Sequence, residues 1–220
     1  MTPRITMSLT EAQLAEHVAR QLNNLVPDPR PVTPDDLRPA LPEALARLEH
    51  CFGHVDNKYF FDGSSAVFSH LHGDQWAMWL YLLSNTLFRQ GAGADLCSKL
   101  FLLNKALHGC DIFYEVALPS VFLLVHPLGT VLGRGEYSDF FVSYQRVGVG
   151  SNHDVYPRFG SHVTLRPGAS VLGKSSVGTH CQIAADTLVI DRDIADNTTI
   201  MGRPGSYRNR ANPSPYPLWR

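Results

Sequence analysis

Apolar residues recur at every sixth position through the second half of this chain: Phe159, Leu165, Val171, Val177, Ile183 and Val189 follow one another without a break. A fixed period of this kind is a structural repeat. It excludes a heptad seam, which returns every seven residues, and a hairpin strand, which alternates every two. A triangular parallel β-helix fits, in which each hexad makes one short strand and a turn, and three hexads complete a coil. The residues between the anchors are small or turn-forming, as such corners need: Arg166-Pro167-Gly168-Ala169-Ser170, Leu172-Gly173-Lys174, Gly178-Thr179 and Ala184-Ala185-Asp186. Val125 and Val131 are also six apart and read as earlier anchors. The irregular stretch from Ser151 to Pro157 interrupts the two blocks, and an excursion from a solenoid is a usual place for a binding loop.

The first half has a different texture. Leu14, Val18, Leu22 and Val26 fall at four-residue spacing, which predicts an amphipathic helix over about 9–26, ending before Pro27. Helices are also expected over about 33–50, 69–90 and 95–108, the third apolar on nearly every face and therefore buried. The longest apolar run, Trp76 to Phe88, is too short to span a bilayer, which takes about 20 residues. Lys and Arg number 19 against 20 Asp and Glu, so the net charge of -1 offers no footprint for nucleic acid or an anionic membrane. Cys51, Cys97, Cys110 and Cys181 form no C-x-x-C pair and no secretory leader precedes them, so a reducing, cytoplasmic setting is expected. Charged residues make up 18%, below the roughly 25% of average domains, so part of the surface should be covered.

Five further features point to a family. The stretch Val125-His126-Pro127-Leu128-Gly129-Thr130-Val131-Leu132-Gly133, the pair Tyr144-Gln145, Tyr156-Pro157, the anchors from Phe159 and the closing Met201-Gly202-Arg203-Pro204 resemble the serine O-acetyltransferases of the hexapeptide-repeat acyltransferase superfamily, over about residues 109–208. The resemblance implies an α+β chain: a helical N-terminal domain over 1–110, a left-handed parallel β-helix of hexapeptide repeats over 111–208, and an extended tail over 209–220. It also implies acetyl-CoA as co-substrate and a homotrimer or dimer of trimers with sites at the subunit boundaries. The uncharged surface would then be the trimer interface together with the Trp76–Phe88 helix. The tail lacks the terminal Ile by which that family docks its sulfhydrylase, so no such complex is expected.

Asp111 stands fifteen residues before His126, the family's spacing between its orienting carboxylate and its general base. The pair has its own physical logic. An alcohol attacking a thioester must lose a proton near neutral pH, which suits imidazole, and a carboxylate on the other ring nitrogen fixes the tautomer. The resemblance makes Ala169 and Ala185 donor-groove positions, with Lys174 and Arg203 facing the CoA phosphates. Arg134, His153, Tyr156 and, from the helical half, Asp74 are candidate acceptor-binding residues. Four positions depart from the family pattern: Val125 replaces an Asp, Arg134 a Glu, and Val155-Tyr156 an Arg-His. Those departures keep open a sugar or modified acceptor in place of serine, or a non-catalytic scaffold. A zinc hydratase of the same solenoid type ranks lower, because His126, His153, His162 and His180 lack the close ligand pair, and no metal is expected.

Overall fold

The computed structural model describes residues 5–212 and 218–220. Two compact units emerge, one built from the chain up to His108 with Leu218–Arg220, the other from Gly109 to Pro217.

The helical unit holds α1 (Glu11–Leu25), α2 (Pro34–Leu37), α3 (Leu41–Gly53), α4 (Gly73–Arg89) and α5 (Ala94–His108). Thr10 and Gln13 cap α1 reciprocally, side chain to backbone in both directions. A single helix expected over 33–50 is instead broken into α2, a short 3-10 turn at Arg38–Ala40, and α3. Pro39 and Pro42 explain the break, since neither supplies the backbone N–H that a continuous helix requires. Every residue of α4 from Gln75 to Leu87 is buried, as its apolar composition foretold. Two short parallel strands, Ile5–Met7 and Ala66–Phe68, complete the unit. The chain's last residues return here: Asp56 N–H bonds the Leu218 carbonyl, Arg220 N–H bonds the His54 carbonyl, and the Arg220 guanidinium lies 3.6 Å from the Phe61 ring centroid.

The second unit is a parallel β-solenoid with three faces. The first face stacks Val131–Leu132, Gly148–Gly150, Ser170–Leu172 and Leu188–Ile190; the second stacks Glu136–Tyr137, Arg158–Phe159 and Ser176–Val177. The third runs Phe122–Leu124, Phe141–Ser143, Thr164–Leu165, Gln182–Ile183 and Thr198–Met201, all parallel. The six expected anchors point inward and none is more than 3% exposed. Val125 and Val131 do not anchor: Val131 is 46% exposed, and Leu124 and Leu132 fill the core in their place. The reason is an insertion. Seven steps separate Leu124 from Val131, whereas five separate their rung partners Ser143 and Gly148, so two extra residues put the valine spacing out of phase. The expected tail starts as a strand, Arg208–Ala211, antiparallel to Thr198–Met201, and its residues 213–217 lie outside the described residues.

The faces differ chemically. Side chains alternate in and out along each strand. On the first face the outward positions are Val131, Gly148, Ser170 and Leu188, then Gly133, Gly150, Leu172 and Ile190, none charged. The second face carries an exposed Arg158–Glu136 ion pair at 3.2 Å. The last coil is secured by three aspartates that each accept a backbone N–H from seventeen residues earlier: Asp191 from Lys174, Asp193 from Ser176 and Asp196 from Thr179, at 2.8, 3.2 and 2.7 Å. A side chain at Gly173, whose φ is +67°, would collide with the Asp191 carboxylate, so the turn demands glycine twice over.

The edge between the second and third faces carries a column of left-handed turns at Phe140, His162, His180 and Asn197. The Phe140 and His162 rings stack at 4.3 Å, and His162 and His180 at 4.4 Å. Burial, and then the neighbouring His180, hold His162 below its usual value of 6.5. The folded chain therefore favours neutral His162, the unfolded chain binds more protons below pH 6.5, and this contribution to stability falls as the pH drops through that value. Urea unfolding between pH 7.5 and 5.5 checks this: His162→Asn, which tolerates the turn, is expected to lose stability less steeply on the acid side than the parent. An unchanged slope counts against it.

Candidate functional site

The edge between the third and first faces holds His126. Its φ of +49° marks the turn, and the two extra residues, Pro127 and Leu128, push the loop outward so that His126 and Leu128 are exposed. Backbone bonds fix this loop on both sides: Val125 N–H to the Ser143 carbonyl at 2.8 Å, Gly129 N–H to the Gly109 carbonyl at 2.9 Å, and Arg146 N–H to the Leu128 carbonyl at 2.9 Å. Below it the same edge continues through Gln145, Pro167, Ala185 and Gly202, one residue per coil.

Asp111 sits one coil above the start of the first face, bridged in parallel to Val131. Its N–H bonds the Thr130 carbonyl at 2.8 Å and its carbonyl accepts from Leu132 at 3.0 Å. The fourteen residues between Asp111 and His126 thus make roughly one coil, and the carboxylate-bearing residue is half-buried beside the strand that leaves the His126 loop. Cys110 next to it is no nucleophile: burial, and then the charge of Asp111, push its thiol up to about 12.

The other named residues divide between edges. Ala185 is exposed on the His126 edge and Arg203 lies exposed just past Gly202. Ala169 is fully buried, and both its N–H and its carbonyl are used within the solenoid, by Arg166 and Gly148. Lys174 is on a different edge, between the first and second faces, as are Arg134, His153 and Tyr156. Arg134 meets Glu115 at 3.4 Å in an exposed pair, a contact worth little by itself. Asp74 belongs to the helical unit, in the first turn of α4. There His108 is pushed down by burial, with Asn104 and the charge of Asp74 pulling the other way. The solenoid unit therefore places His126, Ala185 and Arg203 along one edge, Ala185 three coils below His126, with Asp111 on the strand above Val131, and puts Arg134, His153, Tyr156 and Lys174 on another edge.

The Ser151–Pro157 loop is tighter than an irregular excursion. Asn152 and Val155 exchange both backbone bonds at 3.1 Å, and His153 and Asp154 between them have φ of 51° and 58°, a two-residue hairpin with both central residues left-handed. Asn152 Nδ2 ties it to Asp191 at 2.6 Å. Such turns favour Asn-Gly, so the double substitution His153→Asn/Asp154→Gly is expected to raise stability by about 0.5–1 kcal/mol. A thermal melt that does not rise would contradict the turn. Gln145 escaped the sequence reading as a site residue; its position one rung below His126 becomes visible only once the coil with two extra residues is put in register.

Among the described residues no three His, Cys, Asp or Glu side chains converge as a metal ion would need, and no helix is long and apolar enough to cross a membrane. No protein-family model matches the chain. A putative serine acetyltransferase of Schizosaccharomyces pombe is 30% identical over 135 residues, 58% of this chain and 48% of that protein, so this chain spans about half the length of that relative. The crystal structure of serine acetyltransferase from Brucella abortus superposes with a TM-score of 0.73 at 22% identity, over 94% of this chain and 85% of that one. The same enzyme in complex with coenzyme A gives a TM-score of 0.71 at 21% identity, over 95% and 85%. In sequence the chain is similar to serine acetyltransferases, and its fold, helices followed by a hexapeptide-type β-solenoid, is theirs.

Proposed function

We propose that this chain is an acetyl-CoA-dependent O-acetyltransferase that acts on the hydroxyl of serine or a related small acceptor. The observation that carries the reading is the position of Asp111 one coil back from the exposed His126 loop, at the end of a solenoid like that of an enzyme crystallised with coenzyme A. In the reaction, His126 accepts the acceptor's hydroxyl proton while the oxygen attacks the thioester carbon. Asp111 holds the imidazole in the right tautomer and offsets the imidazolium charge. The tetrahedral intermediate collapses with loss of the CoA thiolate, which takes the proton back from His126.

The donor lies along the His126 edge past Ala185, with Arg203 near its phosphates. Ala169, being enclosed, shapes the turn and does not touch the donor. Arg134, His153, Tyr156 and Lys174 serve a site only where a second copy brings its own edge against the first. A homotrimer packed through the uncharged first face supplies that arrangement, and accounts for the low charge of the sequence.

A different acceptor, such as a sugar hydroxyl, is the second reading. It is favoured by the apolar side chains flanking the base, Leu128 at 69% and Val131 at 46% exposure, and by Arg134 being turned toward Glu115. Thiol release from acetyl-CoA, measured with serine, homoserine and amino-sugar acceptors, tests both. The highest kcat/KM on serine supports the first reading and a preference for a sugar the second. Release no faster than background hydrolysis with every acceptor sinks both and leaves a non-catalytic scaffold.

A further inference from the structure

Three buried side-chain atoms of the solenoid unit have no hydrogen-bond partner among the described residues: Gln145 Oε1, His162 Nδ1 and His180 Nδ1. The two imidazoles are stacked nearly parallel on the far edge, and the lone pairs of stacked rings lie in parallel planes, so they cannot converge on one ligand atom. Gln145 stands on the edge that carries His126.

Its backbone is firmly placed. The Gln145 carbonyl accepts from Gly168 N–H at 3.0 Å, and the bonds from Val125 to Ser143 and from Arg146 to Leu128 bracket it directly beneath the His126 loop, about one strand spacing of 4.8 Å away. A buried amide oxygen left without a donor is costly, and such atoms in folded proteins are ordinarily satisfied. The chain offers no side-chain donor at the next positions along this edge, which are Pro167, Ala185 and Gly202, and Pro167 lacks even a backbone N–H. An N–H on something extended that lies along this edge would supply the missing donor. The pantetheine arm of coenzyme A has that form, with two amide N–H groups between its phosphates and its sulfur.

We propose that Gln145 Oε1 accepts an amide N–H of the donor's pantetheine arm, and so fixes the thioester one coil below His126. This rests on the acyl-CoA reading above. It makes Gln145 a donor-binding residue that distinguishes pantetheine thioesters from thioesters of simple thiols.

Calorimetric titration with coenzyme A, and with two analogues in which one or the other pantetheine amide is replaced by an ester, tests the assignment. One ester analogue is expected to bind the parent protein about tenfold more weakly than coenzyme A, the scale of one lost neutral hydrogen bond. In Gln145→Met, of similar volume, that difference should shrink to within about twofold, while Gln145→Glu, which keeps an acceptor oxygen, should retain it. Gln145→Leu reads the same cycle if the Met variant is poorly folded. Equal binding of both analogues by the parent, or a penalty that persists in Met and Leu variants, overturns the role of Gln145 and leaves the acyl-CoA reading intact. No binding of coenzyme A by the parent overturns that reading and this one with it.

Discussion

Replacing His126 with Asn is expected to lower acetyl transfer by about three orders of magnitude, within the range that loss of a positioned general base produces. Asn is the informative choice. His126 has a φ of +49°, which Asn tolerates and Ala does not, so an Ala variant would mix lost chemistry with about 1–2 kcal/mol of backbone strain. The side chain is exposed, so the fold should melt as before. The loss should appear in kcat, with KM for acetyl-CoA little changed, because the base acts on the acceptor's proton and not on the donor. A variant that keeps more than about a tenth of the parent rate would remove His126 from the base role.

The largest effect on stability is expected at Phe141. Its ring is fully buried, 5.1 Å from Tyr137 and 5.3 Å from Phe159, and those two rings are stacked on each other at 5.2 Å. Phe141→Ala should cost about 3–5 kcal/mol, the loss typical of a large ring removed from a core that cannot close the space. The solenoid has little means of closing it, because each coil is tied to its neighbours by backbone rungs and packs only on them. Chemical denaturation followed by circular dichroism measures the cost. A change below about 1 kcal/mol would mean that the coils can settle into the gap.

The repeat and the site were legible to different degrees, for a physical reason. From Phe159 onward one coil follows another with nearly constant length, so the inward residues keep their phase and the anchors could be read directly. Before that point Pro127 and Leu128 lengthen a corner. The valines then mark the wrong positions, and Leu124 and Leu132 carry the core. The same insertion that spoils the period makes His126 protrude, so the place where the pattern failed is the place where the candidate base stands. In the helical half, the apolar spacing located α1, α4 and α5, while two prolines divided the second expected helix. The division of the named residues between two edges could not be read from spacing, because it depends on how many residues each corner takes. Gln145 was hidden for the same reason.

The short strand Arg208–Ala211 closes the last rung of the third face in antiparallel sense, and all four of its residues are exposed. A ladder of parallel rungs is otherwise open at its end, ready to accept another copy's rung and continue as a fibre. Here the terminal strand runs the opposite way and presents Arg208 and Arg210, so an approaching parallel rung meets reversed polarity and positive charge. The last parallel rung of the third face thus has a partner from its own chain, and its edge is not left open to a further parallel strand.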